Sequence, residues 1–492
     1  MDSPALQESR LPLCIRCEHT LVRTNLMHEA LLRLMKRDPW SFLRLSVSSL
    51  LGRVSGLQSE AAKRLAANAG TLPYNDELVD YVRAEYASGR PVLLLTTSPA
   101  ELAAGIPAYL GIAAEICGSA PDRKLNSGTI DDLLCTRFGS GNFEYAGHSN
   151  ADLPIWKSAR SALVVAPTSR LTRELPKRQR NYRILSTKPF RVSELLRALR
   201  PHQWLKNLLL FVPLIVSHQV TSVSKILAAT IACFCFSLCA SFAYIVNDLL
   251  DLPSDRLHPR KRLRPFASGN LRIGLGVALA LGCLSLALST SFLLPTVFRW
   301  VLLTYLLVTF SYSLSLKNRA VVDVVVLAGL YTMRLIAGSA ATAIRPSFWL
   351  LALSMFLFLS LAMVKRYAEL LMVLAQSKSD AHGRGYTIND LPLLLGMGCS
   401  SGLVATLVVA LYVNSPDVRP LYHMPGALWL TVPLMLYWIN RVWLKTHRGE
   451  MHDDPLVFAA SDRPSLLVGL CMLAVLVIAT IGLPWWDPGV AH

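Results

Sequence analysis

The sequence predicts two structural classes in series: a mixed α/β domain with a Rossmann-type sheet over residues 1–195, and an all-α membrane bundle of nine transmembrane helices over residues 196–492. Three observations predict it. Hydrophobic residues make up 53% of the 492 and charged residues only 16%, a balance seldom found in a soluble chain of this length. From residue 201 onward nine apolar segments follow one another, each close to the ~20 residues that cross a hydrocarbon core. Before that point, short runs of strand type alternate with helix-type stretches.

In the first region, Pro91–Ser98 (PVLLLTTS) and Ala162–Ala166 (ALVVA) read as buried strands, with helical stretches such as Glu101–Leu110 between them. Alternation of this kind predicts a doubly wound parallel sheet. Leu171–Arg191, rich in Arg, Lys and Thr, reads as a basic linker at the membrane surface. The opening MDSPALQESRLPLC is too polar for a secretory signal.

The membrane segments fall near 202–220, 225–249, 272–290, 293–312, 320–340, 347–364, 393–414, 423–440 and 465–485, with Trp485 and Trp486 at the last boundary as interfacial anchors. Sixteen Lys and Arg lie in or beside the even-numbered connections, against four (Lys225, Arg299, Arg345, Arg419) in or beside the odd ones. That bias places the even connections and the N-terminal domain in the cytoplasm, in a chain expected in a bacterial inner membrane. The net charge of +17 would also suit a nucleic-acid binder, but the apolar runs decide for basic membrane loops, and no nucleic-acid partner is expected. The ten cysteines lie mostly in apolar stretches, so reduced thiols are expected, and the lone Cys14–Cys17 pair reads as packing. Homo-oligomer formation is left open.

The chemistry is concentrated where the second segment ends, in Asn247-Asp248-Leu249-Leu250-Asp251-Leu252-Pro253-Ser254-Asp255. On a helix, Asp248, Asp251 and Asp255 share one face. Three close carboxylates repel unless a cation neutralises them, and Mg2+ bridges carboxylates to substrate phosphates. Arg256, His258, Arg260, Lys261, Arg262 and Arg264 follow at once, and next to the acids they read as a phosphate site. Tyr312 and Lys317 end the fourth segment, and Asp323 and Arg334 lie in the fifth. Lys365, Arg366 and Glu369 end the sixth, and Arg441, Arg448, Asp453, Asp454 and Arg463 fill the fourth inner loop. Since all fall on one predicted face, a charged cavity opening to the cytoplasm is expected. A transporter would instead place charges near the midplane.

The NDxxDxxxD motif, the basic loop and YxxxLK after the fourth helix resemble the UbiA superfamily of intramembrane transferases, over about residues 201–485. Within it the likeness is to the decaprenyl-phosphate phosphoribosyltransferase branch, through RPHQWLKN (Arg200–Asn207), HPRKRLRP (His258–Pro265), YSLSLK and VVDVVVLAGLYTMRLIAG (Val321–Gly338). The resemblance implies Mg2+ on Asp248, Asp251 and Asp255. It implies a diphosphate-bearing donor and a polyprenyl lipid as substrates, and substrate contacts from Lys206, Asn247, Lys261, Arg262, Arg264, Arg334, Lys365 and Arg366. Asp248, Asp251, Asp255, Tyr312, Lys317 and Asp323 are the catalytic candidates, with Asp323 at an oxocarbenium-like centre or at ribose hydroxyls. Aromatic prenyltransferases of the superfamily carry a second DxxxD after the sixth helix. KRYAELLMVL stands there instead, with Glu369 alone. The expected reaction is therefore transfer of 5-phosphoribose from phosphoribosyl diphosphate to a polyprenyl phosphate. The alternative is transfer of a prenyl group from its diphosphate to an aromatic acceptor such as 4-hydroxybenzoate. Lys365 and Arg366 suit the 5-phosphate.

Residues 12–170 resemble the haloacid dehalogenase superfamily, through Leu13–Leu32, Leu93–Ser98 and Phe143–Trp156. Working members begin DxDGT, with an attacking Asp. Arg16, Cys17, Glu18, His19 and Thr20 stand in those places. A guanidinium is neither nucleophile nor metal ligand. Thr96 and Asp152 match later motifs, and Lys124 lies near the expected lysine. The expectation is a pseudophosphatase scaffold.

Overall fold

The computed structural model describes residues 11–50, 69–120, 123–179, 181–185, 192–375, 385–416, 421–451 and 455–482. Asp453, Asp454, Trp485 and Trp486 lie outside them. The chain divides into two compact units, residues 1–201 with 244–282, and residues 202–243 with 283–492.

The first unit is built on a six-stranded parallel sheet: β1 (Leu13–Arg16), β2 (Val92–Pro99), β3 (Ala114–Ser119), β4 (Glu144–Gly147), β5 (Ser161–Val165) and β6 (Tyr182–Leu185), in the order β3-β2-β1-β4-β5-β6. The central strands are apolar on both faces, as strands covered on both sides must be. Leu13, Ile15, Leu94 and Leu163 pack in one layer, and Cys14, Leu93, Leu95, Tyr145 and Val164 in the other. Cys14 and Cys17 therefore sit in core packing, and all ten cysteines are unbridged. Here the expected linker is corrected. Within 171–191, the helix Ser169–Arg178 and strand β6 belong to the sheet domain. Leu171 and Leu175 are buried beside Trp156, while Arg173 and Lys177 form the exposed face of the same amphipathic helix.

In the membrane region, eight helices carry the architecture: α1 (Val223–Leu250), α2 (Ile273–Ser291), α3 (Thr296–Leu314), α4 (Val322–Thr342), α5 (Phe348–Ala375), α6 (Leu391–Val413), α7 (Thr431–His447) and α8 (Arg463–Ile481). Among the described residues seven helices, all of these but α7, are long and apolar enough to span a membrane. The chain is an integral membrane protein. Nine spanning helices were expected. The first expected segment is a 3-10 helix, Pro201–Phe211, followed by a five-residue α-helix, Val212–Val216. The eighth opens as a 3-10 turn, Pro425–Leu430, before α7. Proline at 213 and 425 removes an N–H at both places, and hydropathy alone does not register that.

Within the second unit consecutive helices are neighbours, α3 on α4, α4 on α5, α5 on α6, α6 on α7, and α7 on α8. Gly398 and Gly402, one turn apart on α6, let α7 approach closely. A Cβ on Gly398 would lie 2.1 Å from the Trp443 ring and one on Gly402 2.6 Å from Ile439. Trp443 Nε1 donates to Ser360 Oγ at 3.0 Å and Ser360 Oγ to the Gly398 carbonyl at 2.7 Å, tying α5, α6 and α7 together.

Candidate functional site

In the first unit, the acidic motif departs from the single helical face expected of it. Helix α1 ends at Leu250, Asp251 takes φ −98° and ψ 9°, and a new short helix, Leu252–Leu257, starts with Pro253 in its first turn. Pro253 has no N–H for the ladder, which bends the chain at Asp251. Asp248 and Asp255 nevertheless converge. Arg264 Nη1 lies 3.1 Å from Asp248 Oδ1 and 2.5 Å from Asp255 Oδ2. Arg200 grips Asp248 with one nitrogen at 2.6 and 2.8 Å from its two oxygens. Asp251 turns the other way and accepts from Lys36 Nζ at 2.6 Å. Asp248 and Asp255 are buried, and Asp248 also sits at the C-terminal end of α1 where an acid opposes the dipole, so these cations are what make the cluster tolerable.

Among the described residues no three His, Cys, Asp or Glu side chains surround a common point as a metal site would. The donor chemistry still fits a hard cation. One nitrogen bridging Asp248 and Asp255 shows that the two carboxylates reach a single positive charge, and oxygen ligands are what Mg2+ takes. Lys261 and Arg262, in a 3-10 turn, are exposed, and Asn247 is half-buried one residue before Asp248. Arg200, Lys36 and Glu29 were missed as site residues. Arg200 stood in a quoted motif, and its aromatic partner, the Tyr244 ring 5.1 Å away, was the available signal.

In the second unit, Asp323 sits fully buried in the first turn of α4, where the dipole favours an acid. Tyr312 Oη donates to it at 2.7 Å. Arg366, 2% exposed, forms ion pairs with Asp323 and Glu369 and donates to Tyr312 Oη at 3.1 Å. Arg366 is thus a buried counter-ion that holds Asp323, a pairing the sequence alone did not show. Lys365, beside it, and Lys317, in the turn after α3, are half-buried.

Arg334 is a buried hub of α4. It donates to Asn207 Oδ1 at 3.0 Å, to the Leu330 carbonyl at 2.6 Å and to Tyr305 Oη at 3.1 Å, and it lies over the rings of Tyr305 and Tyr331. Lys206 lies over the Tyr331 ring at 5.7 Å. Arg441, on α7, pairs with Asp462 at 2.6 and 3.0 Å, which holds the Asp462 carboxyl down at about 2. That aspartate caps α8 through the Ser465 N–H. A cavity of about 330 Å³ in the same unit, lined by Leu353, Val409, Tyr412, Met472 and other apolar side chains, offers hydrocarbon contact and little else.

The α/β unit places Arg16 at the end of β1, where it donates to Asp152 at 2.6 Å. Asp152, wholly buried, also accepts from the backbone N–H groups of His148 and Ser149, both at 3.0 Å. Glu18 accepts from Thr96 Oγ1 at 2.5 Å, from Ser98 Oγ at 2.7 Å and from the backbone N–H groups of Thr97 and Ser98 near the end of β2. The carboxylates at this strand end are thus committed to internal partners. Burial, with Arg272 and Arg16 nearby, pushes the His19 imidazole down to about 4, and burial with His19, Arg16 and Arg272 pushes His148 to about 3.

Comparison with known proteins places the membrane region. The UbiA prenyltransferase family pattern matches residues 208–461. The uncharacterized protein y4nM of Sinorhizobium fredii is 34% identical over 474 residues, 96% of this chain and 92% of that one. The decaprenyl-phosphate phosphoribosyltransferase of Corynebacterium glutamicum is 35% identical over 306 residues, 59% of this chain and 87% of that one. The structure of a UbiA homolog from Archaeoglobus fulgidus bound to DMAPP and Mg2+ aligns with 58% of this chain and 99% of its own, at 17% identity and a TM-score of 0.45. With a family match across more than half its residues and an acidic motif at the end of α1, the chain is a member of the UbiA prenyltransferase family.

Proposed function

We propose that this chain is a Mg2+-dependent phosphoribosyltransferase that moves 5-phosphoribose from phosphoribosyl diphosphate to a polyprenyl phosphate. The observation that carries the donor choice is the state of Glu369. It is the carboxylate at the place of a second acidic motif, and it is paired with Arg366. A prenyl-diphosphate enzyme needs a second set of carboxylates for further metal. The relatives named decaprenyl-phosphate phosphoribosyltransferase support the same donor.

Asp248, Asp251 and Asp255 would hold Mg2+, which neutralises the leaving diphosphate when bound. Lys261 and Arg262 meet donor phosphates from the exposed turn, with Arg264 released from its carboxylates to join them. The acceptor phosphate is already an anion, so no side chain is needed as a general base. Asp323, paired with Arg366 and oriented by Tyr312, faces positive charge developing on the ribose or holds a ribose hydroxyl. Lys206 meets substrate phosphate, Arg334 braces the same wall through Asn207 and Tyr305, Asn247 orients the donor, and Lys317 and Lys365 meet further donor phosphate. The N-terminal domain is haloacid dehalogenase-like and lacks phosphatase activity. It lies on the cytoplasmic side of a bacterial inner membrane, as the Lys and Arg bias of the loops directs.

The test offers purified protein and Mg2+ labelled phosphoribosyl diphosphate with polyprenyl phosphate, and separately prenyl diphosphate with 4-hydroxybenzoate. Labelled lipid in the first reaction is the expected result. Faster consumption of prenyl diphosphate would replace this reading with aromatic prenyl transfer.

A further inference from the structure

The loop between α1 and α2 is docked on the α/β domain through charges whose arrangement touches the acidic motif. The helix Leu26–Arg37 carries Glu29 and Lys36, seven residues and two turns apart on one face. Glu29, 3% exposed, receives both terminal nitrogens of Arg256, at 2.6 and 3.0 Å. The remaining reach of Arg256 goes to backbone carbonyls, Thr71 at 3.0 Å and Ala267 at 3.0 Å. Arg256 directly follows Asp255 on the helix Leu252–Leu257. Two turns along, Lys36 meets Asp251 at 2.6 Å. The acid and base on the domain helix thus face a base and an acid on the loop. Sliding the helix by one residue, or reversing it, would separate the charges or oppose like ones. Gly269, at φ +75°, closes the same contact, since a Cβ there would lie 2.5 Å from the Cβ of Arg23. No such docking is needed merely to join the two segments.

We propose that the helix Leu26–Arg37 is a positioning element for the acidic motif: Glu29 fixes the turn that carries Asp255, and Lys36 supplies the counter-charge that metal must displace from Asp251. The proposal rests on the metal reading above, and it gives the α/β domain a role in the transferase that requires no activity of its own. Glu29 and Lys36 act in opposite directions. Glu29 keeps the Arg256 guanidinium away from Asp255, so losing Glu29 sets a buried cation loose beside a metal ligand. Lys36 competes with metal for Asp251, so losing Lys36 removes a competitor. The Lys36 pair is half-exposed, with 49% and 30% of the two side chains open to solvent, so its effect is the smaller one.

The experiment titrates Mn2+, a spectroscopic stand-in for Mg2+, into the full-length detergent-solubilised protein without substrate and reads free Mn2+ by electron paramagnetic resonance. Lys36→Met is expected to tighten binding by about threefold, the scale of a half-exposed ion pair. Glu29→Gln is expected to weaken it by about tenfold or more, as for a broken buried pair. Glu85→Gln, which breaks the separate Arg90–Glu85 pair of the same domain, should leave Mn2+ affinity unchanged and controls for general loosening. Lys36→Met alters an exposed pair and folds even where Glu29→Gln does not. Mn2+ binding that ignores Lys36 and Glu29, or shifts the same way for both, overturns the proposal and leaves the metal reading standing. No Mn2+ binding by the wild type overturns both.

Discussion

Arg16 Nη1 lies 2.6 Å from Asp152 Oδ1, so that a cation at the end of β1 neutralises the buried carboxylate in the turn after β4. The strand end is locked from within. Arg16→Ala leaves Asp152 buried with only neutral donors, the His148 and Ser149 N–H groups and the Tyr145 and Ser149 hydroxyls, and should destabilise the α/β domain by about 3 kcal/mol, as breaking a buried pair does. A thermal melt of the full chain, followed by a probe in the sheet, checks this. Para-nitrophenyl phosphate should release no phosphate with the wild type above a heat-killed control.

The same strand end predicts an acid sensitivity. His19 and His148 titrate in the fold at about 4 and about 3, below the ordinary histidine value. Below about 6.5 the unfolded chain binds protons that the folded domain refuses. Stability of the α/β domain is therefore fully present above that pH. It falls as the pH drops from about 6.5 through 4 to 3. Glu18 and Asp152 pull the other way, while Arg16 and Arg272 reinforce the effect. The unfolding midpoint of the domain, followed between pH 7.5 and pH 4, should decline. Phenylalanine at both histidines should flatten the curve, and an unchanged slope would count against the assignment.

For the acidic motif, Asp248→Asn and Asp251→Asn should each abolish turnover while the protein still melts as a folded species. EDTA should do the same to the wild type, with activity restored by added Mg2+. Near-wild-type activity in either variant or under EDTA would remove the metal role.

Asp323 and Arg366 separate structure from chemistry. Arg366→Ala removes the buried counter-ion of Asp323 and should lower stability by about 3 kcal/mol or more. Asp323→Asn combined with Arg366→Met removes both charges and should recover much of that stability. Turnover should stay lost in the double variant, because the proposed mechanism uses the carboxylate. Recovery of turnover together with stability would reduce Asp323 to a structural role.

Lys365 tests the donor. Lys365→Ala should weaken use of phosphoribosyl diphosphate by about tenfold, within the range for a lost charge-assisted contact. The loss should be smaller for a donor without the 5-phosphate. Equal losses for the two donors would dismiss the 5-phosphate contact.

Periodicity and hydropathy made β2, β5 and the seven long helices legible, because burial on both faces and bilayer thickness each leave a pattern a few residues long. The acidic motif was legible as a cluster but not as a shape. Spacing put Asp248, Asp251 and Asp255 on one face, and one proline two residues after Asp251 undid it. Residues 171–191 misled in the opposite way. Leu171 and Leu175, the two residues that bind the helix to the core, were outnumbered by the charges around them. Arg366 showed the deeper limit. Its sequence neighbourhood announces a cation at a helix end, but only the fold shows that Asp323, forty-three residues earlier, has taken it.

Helix α1 is 28 residues long, about 42 Å at ~1.5 Å per residue, against a hydrocarbon core of about 30 Å. Roughly two turns must stand outside the oily slab, and Asp248 lies in the last of them. With that excess at the C-terminal end, the motif stands at headgroup depth, where the proposed water-soluble donor and lipid phosphate would meet without either leaving its own phase. A thicker bilayer would draw that end inward or tilt the helix, so the lipid composition of the host membrane sets how far the two reactants have to travel.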